Sequence, residues 1–412
     1  MTTGTRPAGD AHRPTFSRGF MVWLGASTLA ATGDGICYFA IGWTATALGG
    51  ATAGMIMTLI VLPRTVLMLV GGASADRWGL RRTMIGCDVF MCGVLGCYLI
   101  ALHGDAPQTP TLAALAVAIG VASAFRMPAA GAFPRLFADG DALPRVMSVT
   151  GSMLQVARMA GPAIGGVVVA ALGMAGAISA NFAGFLVILV VLVSVRPPLE
   201  GAMRTDADGS TLHNISAGVR AARRVPGVPV LLVGIGIVAA GVIPMLTLVV
   251  PLAAHERGWS ARGTGLVEMA WIVGTLSISL VVARFGTRTR AIVPLVSGPL
   301  ITTVGIVVVA HGERLPIAIA GALVMGIGTA AFTTHAMPLY VLRSPDGMIA
   351  RFQALAGVVQ SAPMLVSNNL LGAVGSGGHA SRAMLLVAAL TFVAAPVLLA
   401  SPAIRTARLP AP

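Results

Sequence analysis

Lysine is absent from the 412 residues, so all 27 basic side chains are arginine. Charge of any sign is scarce: acids and bases together make up 10% of the chain, where a soluble globular protein carries about a quarter. That shortage excludes an ordinary water-soluble domain of this size. The four cysteines, Cys37, Cys87, Cys92 and Cys97, lie inside or at the ends of apolar runs, which excludes a disulfide or metal framework. No Gly-Lys-Ser/Thr phosphate loop, zinc-ligand spacing or aspartate-rich diphosphate motif occurs. ATP-driven transport and most membrane-enzyme chemistry therefore lose their basis, and the chain is read as a non-enzyme with no cofactor and no metal.

What the chain does have is hydrocarbon. Apolar residues form 56% of it, with a mean hydropathy of +0.88. A helix needs about 20 apolar residues to cross roughly 30 Å of lipid. Twelve runs qualify: residues 20–46, 52–75, 83–102, 110–134, 146–171, 175–195, 228–253, 263–284, 291–310, 316–340, 352–375 and 382–401. The expected fold is an all-α integral membrane protein of twelve transmembrane helices. The first run is too long for a signal-peptide core and lacks a convincing cleavage site, so it is expected to remain as an anchor.

The formal charge of +13 does not point to nucleic acid, because the arginines fall between spans rather than along one soluble face. With the N-terminus inside, only Arg257, Arg262, Arg314 and Arg382 lie outside, and Arg64, Arg126 and Arg158 lie within spans; the other arginines fall in the cytoplasm or at its border. This asymmetry follows the positive-inside rule and predicts a multi-pass protein of the inner (plasma) membrane with both termini cytoplasmic. The Asn214-Ile-Ser216 sequon then sits on the cytoplasmic side and is read as chance.

Residues 196–227 are the one stretch where hydrophobicity lapses for some thirty residues. They divide the chain into a tail at 1–19, a six-helix bundle at 20–195, a linker at 196–227, a second bundle at 228–401 and a tail at 402–412. Within the linker, Leu212, Ile215, Val219 and Ala222 with Arg220, Arg223 and Arg224 are spaced as an interfacial amphipathic helix. The halves also match each other. Ala75–Arg81 aligns with Val282–Arg288 at an offset of 207, while Arg145 meets Arg351 and Gly166 meets Gly372 at 206. Parallel repeats of this kind predict a substrate site at midplane between the halves.

Two local patterns are specific. After the second span, Gly72, Asp76, Arg77, Gly79, Arg81 and Arg82 combine glycines that permit a sharp reversal with a carboxylate and arginines that can form charge-assisted hydrogen bonds across a helix gap. Such a latch can hold one conformation and release another; in the second half its acid is replaced by Ala283. Asp88, about one turn into the third span, either joins that latch through Arg81 or Arg82 or complements the N-terminus of its helix. In the fifth span, Arg158, Gly161, Pro162, Gly165 and Gly166 give a flat face for close packing beside a proline bend.

The first pattern resembles the cytoplasmic signature of the major facilitator superfamily, and the second resembles the Gly-Pro-x-x-Gly-Gly element of its antiporters, with Ala157 where the family's usual upstream glycine stands. Ser27–Gly42, Phe125–Arg145 and Asn181–Phe185 extend the similarity toward the macrolide and siderophore efflux branch, although that branch commonly has arginine two residues beyond the helix-4 proline, where this chain has Ala130. The resemblance covers the first half well and the second mainly by topology. It implies two pseudo-symmetric six-helix bundles and drug:proton antiport.

Buried charge carries the mechanistic expectation. An Asp or Arg at a helix centre costs about 2.5–3.5 kcal/mol on insertion scales, yet Asp34, Arg64, Arg126, Arg158 and Glu268 all lie within spans. At about 1.5 Å per residue Asp34, Arg64 and Arg158 come near the midplane. Asp34 is the expected proton-coupling carboxylate, toggled by approach and withdrawal of an arginine, or else held in a permanent structural pair. Glu268, nearer the outer end of its span, is a second coupling acid or an outward-facing solvated group. Tyr38, Arg64, Arg126, Gln155, Trp271 and Asn368 are candidates for the substrate cavity; Asn181, Gln360, Asn369, Phe182 and His335 are read first as packing. The expected partners are a small amphiphilic molecule, protons and membrane lipids, with no nucleic acid and a functional monomer. Proton-driven export of a drug, antibiotic or other natural product is the leading reading, with siderophore export, proton-linked metabolite import and lipid flipping as alternatives.

Overall fold

The computed structural model describes residues 16–104, 107–138, 140–199, 219–286, 291–345 and 348–407. Among them the regular elements are all helical: α1 Arg18–Ala47, α2 Gly50–Trp78, α3 Leu80–Ala101, α4 Gln108–Ala132, α5 Leu143–Ser194, α6 Val228–Glu256, α7 Ala261–Phe285, α8 Ile292–His311, α9 Leu315–Leu342, α10 Ile349–Gly375 and α11 Ala380–Leu399, with short turns at Phe133–Leu136, Gly140–Ala142 and Pro402–Arg405. Nine of the long helices are apolar enough to cross a membrane among the described residues. α1 and α10 match them in length and spread polar side chains along the helix.

α5, at 52 residues, supplies two crossings. Gly173 breaks it with φ 63° and ψ −162°, a conformation open to glycine and strained for other residues. The packing on α1 shows the reversal: Gly161 and Gly165 meet Gly35 and Phe39 in ascending order, whereas Asn181 and Gly184 meet Gly33 and Ala30 in descending order. The break falls in the gap between the expected spans 146–171 and 175–195. With α5 counted as two limbs, the long helices among the described residues give twelve helical segments at the positions hydropathy predicts, and the fold is all-α.

The crossings form two bundles. In the first, α1 packs on both limbs of α5, α2 on α4, and α3 on α4 and α5; in the second, α8 packs on α9 and α11, α7 on α9, and α6 on α10 and α11. The bundles are joined by α2 with α10, α5 with α7, α1 with α6, and more lightly α2 with α6. The internal repeat is visible in this geometry. Gly79 and Gly286, 207 positions apart, both adopt positive φ (90° and 70°) where α2 and α7 end. Gly166 of α5 abuts Ala261 and Gly265 of α7, while its counterpart Gly372 of α10 abuts Gly50 and Gly54 of α2.

The bundles meet at the end of the molecule away from the chain termini. Asn369 Nδ2 donates to Thr58 Oγ1 at 2.7 Å, the Ala51 amide donates to Ser376 Oγ at 3.1 Å, and Trp43 and His255 stack with ring centroids 4.1 Å apart. At the terminal end each bundle closes on itself. Phe20, Trp23, Phe133 and Phe137 cluster in the first, and Arg343 donates to the Pro226 and Ala403 carbonyls in the second.

The described part of the linker is helical over 219–224, with Ala222 buried and Arg220, Arg223 and Arg224 exposed, as an interfacial helix requires. Leu212 and Ile215 lie outside the described residues.

Candidate functional site

The centre of α1 shows how the local sequence builds a site. Gly33 and Gly35 flank Asp34, and both are closed over by α5. A Cβ at position 35 would sit 2.7 Å from Gly161 Cα, and one at 33 would sit 3.1 Å from Asn181 Cα. Each glycine lets one limb of α5 press against α1, and Asp34 opens into a cavity of about 300 Å3. That volume lies at the lower end of the usual range for small-molecule pockets.

The charged residues of three other helices reach the same cavity. Arg64 comes from α2, Arg126 from α4 and Arg158 from α5, with Tyr38 of α1 and Asn181 and Phe185 of the second limb of α5. Five sequence-expected residues, Asp34, Tyr38, Arg64, Arg126 and Arg158, are therefore brought together. The lining comes entirely from the first bundle, whereas the repeat had placed the site between the halves. Gln155 is exposed, and neither it nor Trp271 nor Asn368 lines this cavity. Asn368 is buried on α10, where its backbone carbonyl receives Gly54; the Trp271 carbonyl receives Gly326.

Arg126 is the hub. Its Nε donates to Asp88 Oδ1 at 2.7 Å, its Nη1 stands 4.0 Å from Asp34 Oδ2, and its guanidinium lies 5.1 Å from the centre of the Phe185 ring. The expectation that Asp88 joins the latch arginines, or merely complements its helix end, is corrected here. Asp88 stands eight residues into α3, about 12 Å along the axis, too deep for the turn, and its fully buried side chain faces α4. Arg81 instead donates to the Leu192 and Val193 carbonyls at 2.6 and 2.9 Å, tying α3 to the end of α5. Sequence reading gave Phe185 no role of its own; its position one helical turn after Asn181 was the available signal.

Glu268 lies within α7 and is largely buried. It is 7% exposed, three residues from the Gly265 that abuts Gly166, without an ion pair or hydrogen bond among the described residues. Of the antiporter-type element, Gly161 and Gly165 face α1, Pro162 reaches the cavity and Gly166 faces α7. Of the latch, Arg77, Gly79 and Arg82 are exposed; the surroundings of Gly72 and of the Asp76 side chain lie outside the described residues.

Comparison with known proteins places this architecture. The chain is 29% identical over 212 residues to the multidrug efflux pump Tap of Mycobacterium tuberculosis, a match covering 48% of this chain and 49% of that protein. It is 25% identical over 273 residues to Tap of Mycolicibacterium fortuitum, covering 64% and 65%. The matches thus span about half to two thirds of these relatives' length. A crystal structure of a bacterial homologue of the human lysosomal transporter Spinster, in an inward-facing and unoccupied conformation, superposes with a TM-score of 0.75 at 16% identity, covering 95% of this chain and 98% of that one. The sequence profile described as Major Facilitator Superfamily matches residues 23–368. With that match across most of its length, this chain belongs to the Major Facilitator Superfamily.

Proposed function

We propose that the protein exports a small amphiphilic molecule in exchange for protons, with Asp34 as the coupling carboxylate. The observation that carries this reading is the sharing of Arg126: Asp88 holds its Nε at 2.7 Å, and Asp34 meets the same guanidinium more loosely at 4.0 Å across the cavity. A carboxylate beside a cation favours the ionised form, and one deprived of it in a dry surrounding favours the protonated form. Arginine itself does not release a proton. A change in the Asp34–Arg126 separation as the bundles rock therefore loads or empties Asp34, while Asp88 keeps Arg126 in place. Similarity to multidrug efflux pumps supports the outward direction.

The arginine asymmetry puts the terminal end in the cytoplasm, so the contacts of Thr58, Trp43 and Gly166 close the external side and the molecule faces inward. External closure of this kind is one of two end states that alternating access requires. The turn carrying Asp76, Arg77 and Arg81 is then the cytoplasmic latch that closes in the other state, and Glu268, buried beside the α5–α7 contact, is a second proton site exposed when that contact parts. One proton entering across 100 mV yields about 2.3 kcal/mol, enough for a bit under fiftyfold outward concentration of a neutral cargo.

In inverted vesicles energised with a pH gradient, Asp34→Asn is expected to abolish gradient-driven cargo movement while equilibrium binding remains measurable. Uphill transport by that variant at the wild-type rate would remove Asp34 from the role.

A further inference from the structure

The cavity holds more positive charge than proton coupling uses. Arg126 is engaged by Asp88 and Asp34, whereas Arg64 and Arg158 line the same space with neither an ion pair nor a hydrogen bond among the described residues. The sequence offers them little compensation, because the acids well inside the spans are Asp34, Asp88 and Glu268. Glu268 belongs to the other bundle and does not line the cavity. With Asp34 and Asp88 ionised, three guanidiniums stand against two carboxylates; once Asp34 takes a proton, they stand against one.

Guanidinium is a planar fork of donors matched to carboxylate, phosphate or sulfonate oxygens, and it cannot shed its charge to relieve burial. Asn181 also lines the cavity and is 2% exposed; its Oδ1 packs against Gly33 of α1, and its amide N–H group is the donor it can offer an anionic oxygen. Met91, Ile119 and Met127 give the remaining wall apolar surface, beside the Ser123 hydroxyl.

From this surplus we infer that the transported molecule is an amphiphilic anion whose charged head sits between Arg64 and Arg158 and whose apolar body rests on Met91, Ile119 and Met127. The inference rests on the proposed function only in taking this cavity as the cargo site. It carries a consequence for energetics: an anion leaving while a proton enters moves two elementary charges across the membrane per cycle, so export is driven by voltage as well as by pH. Exchange requires the cargo to load while Asp34 is ionised, and the single positive charge left over in that state matches one monovalent anionic head. The head could belong to a free organic acid or to a lipid phosphate; both present anionic oxygens on an apolar body.

The test is calorimetric binding to the purified protein of 1-naphthylacetate, its neutral carboxamide and the corresponding naphthyl amine, with dihexanoyl-phosphatidylglycerol as the lipid arm. At least tenfold tighter binding of an anionic probe than of the carboxamide is expected, falling by roughly tenfold in Arg64→Gln and in Arg158→Gln and partly kept in Arg64→Lys and Arg158→Lys. Either anion bound in this arginine-dependent way supports the inference, and the tighter of the two identifies the source. Equal binding of carboxylate and carboxamide, tighter binding of the amine, or anion preference unchanged in both glutamine variants would overturn it. The lysine variants retain the charge should a glutamine variant fail to fold. Asp34→Asn separates this inference from the proposed function: anion binding there should be kept or strengthened while gradient-driven transport is lost.

Discussion

At the scale of single residues, the costliest object in the structure is Asp88, whose side chain is 0% exposed and whose one hydrogen bond among the described residues is to Arg126. Removing one member of a buried pair leaves an uncompensated charge and typically costs about 3–5 kcal/mol. Arg126→Gln should therefore lower the thermal stability of the purified protein sharply, and adding Asp88→Asn should recover most of the loss, since two neutral amides can hydrogen-bond where two charges did. Melting curves for both singles and the double close a cycle; strictly additive losses would show that the two residues do not depend on each other. Asp34, Arg64, Arg126 and Arg158 were legible as candidates because charge stands out against a hydrocarbon background. Their partners were not, because which side chains meet depends on the rotation and bend of each helix, and Asp88 was drawn toward the nearest arginines in sequence rather than the one facing it across α3 and α4. Phe185 was hidden for the same reason: an aromatic residue in a membrane helix is most often packing.

At the scale of elements, prolines and glycines on neighbouring helices work as pairs. A helical proline leaves the carbonyl four residues earlier without its N–H donor. Pro63, Pro128 and Pro363 free the carbonyls of Leu59, Ala124 and Val359; that of Ala124 faces Gly71 on the adjacent helix directly, whereas Gly120 lies nearer the Ile60 carbonyl and Gly236 nearer the Val359 side chain. A glycine Cα–H is the one group that can approach such an oxygen so closely, a weak interaction worth about 0.5–1 kcal/mol each. Close packing is exacting at Gly35, where a Cβ would meet Gly161 Cα at 2.7 Å. Gly35→Ala should cost about 1–3 kcal/mol as an overpacked contact, and should impair transport by moving α5 off α1. Gly25→Ala, with nothing within 4 Å of the added carbon, should be neutral or stabilising by up to about 1 kcal/mol in its helix. Thermal unfolding of the two variants compares them, and equal stability would contradict the packing account. The spans were readable from hydropathy to within a few residues, but α2 continues to Trp78, beyond the expected end at 75. Hydropathy reports where hydrocarbon stops, whereas the backbone hydrogen bonds run on until Gly79 supplies a positive φ.

At the scale of the whole molecule, the two bundles touch through helix pairs clustered toward one end, and two of those contacts are made by repeat-related glycines, Gly166 and Gly372. A duplicated chain places equivalent pivots on either side of the central axis, so parting at the Gly166–Gly265 contact and at the Gly372–Gly50 contact is one symmetric rocking motion rather than two independent events. Thr58 and Asn369 sit on α2 and α10 at this end, joined by a 2.7 Å hydrogen bond, so a covalent link between these positions should hold this end shut. With the four native cysteines, which form no disulfides, replaced by serine, Thr58→Cys combined with Asn369→Cys is expected to form a disulfide under mild oxidation. Oxidation should stop cargo transport, and reduction should restore it. In the oxidised protein, a reporter cysteine at Ser123, which lines the cavity, should react with a membrane-impermeant maleimide from the terminal side of the membrane and not from the other. Full transport by the cross-linked protein would mean that the α2–α10 contact does not part during the cycle, and the rocking axis would have to be placed elsewhere.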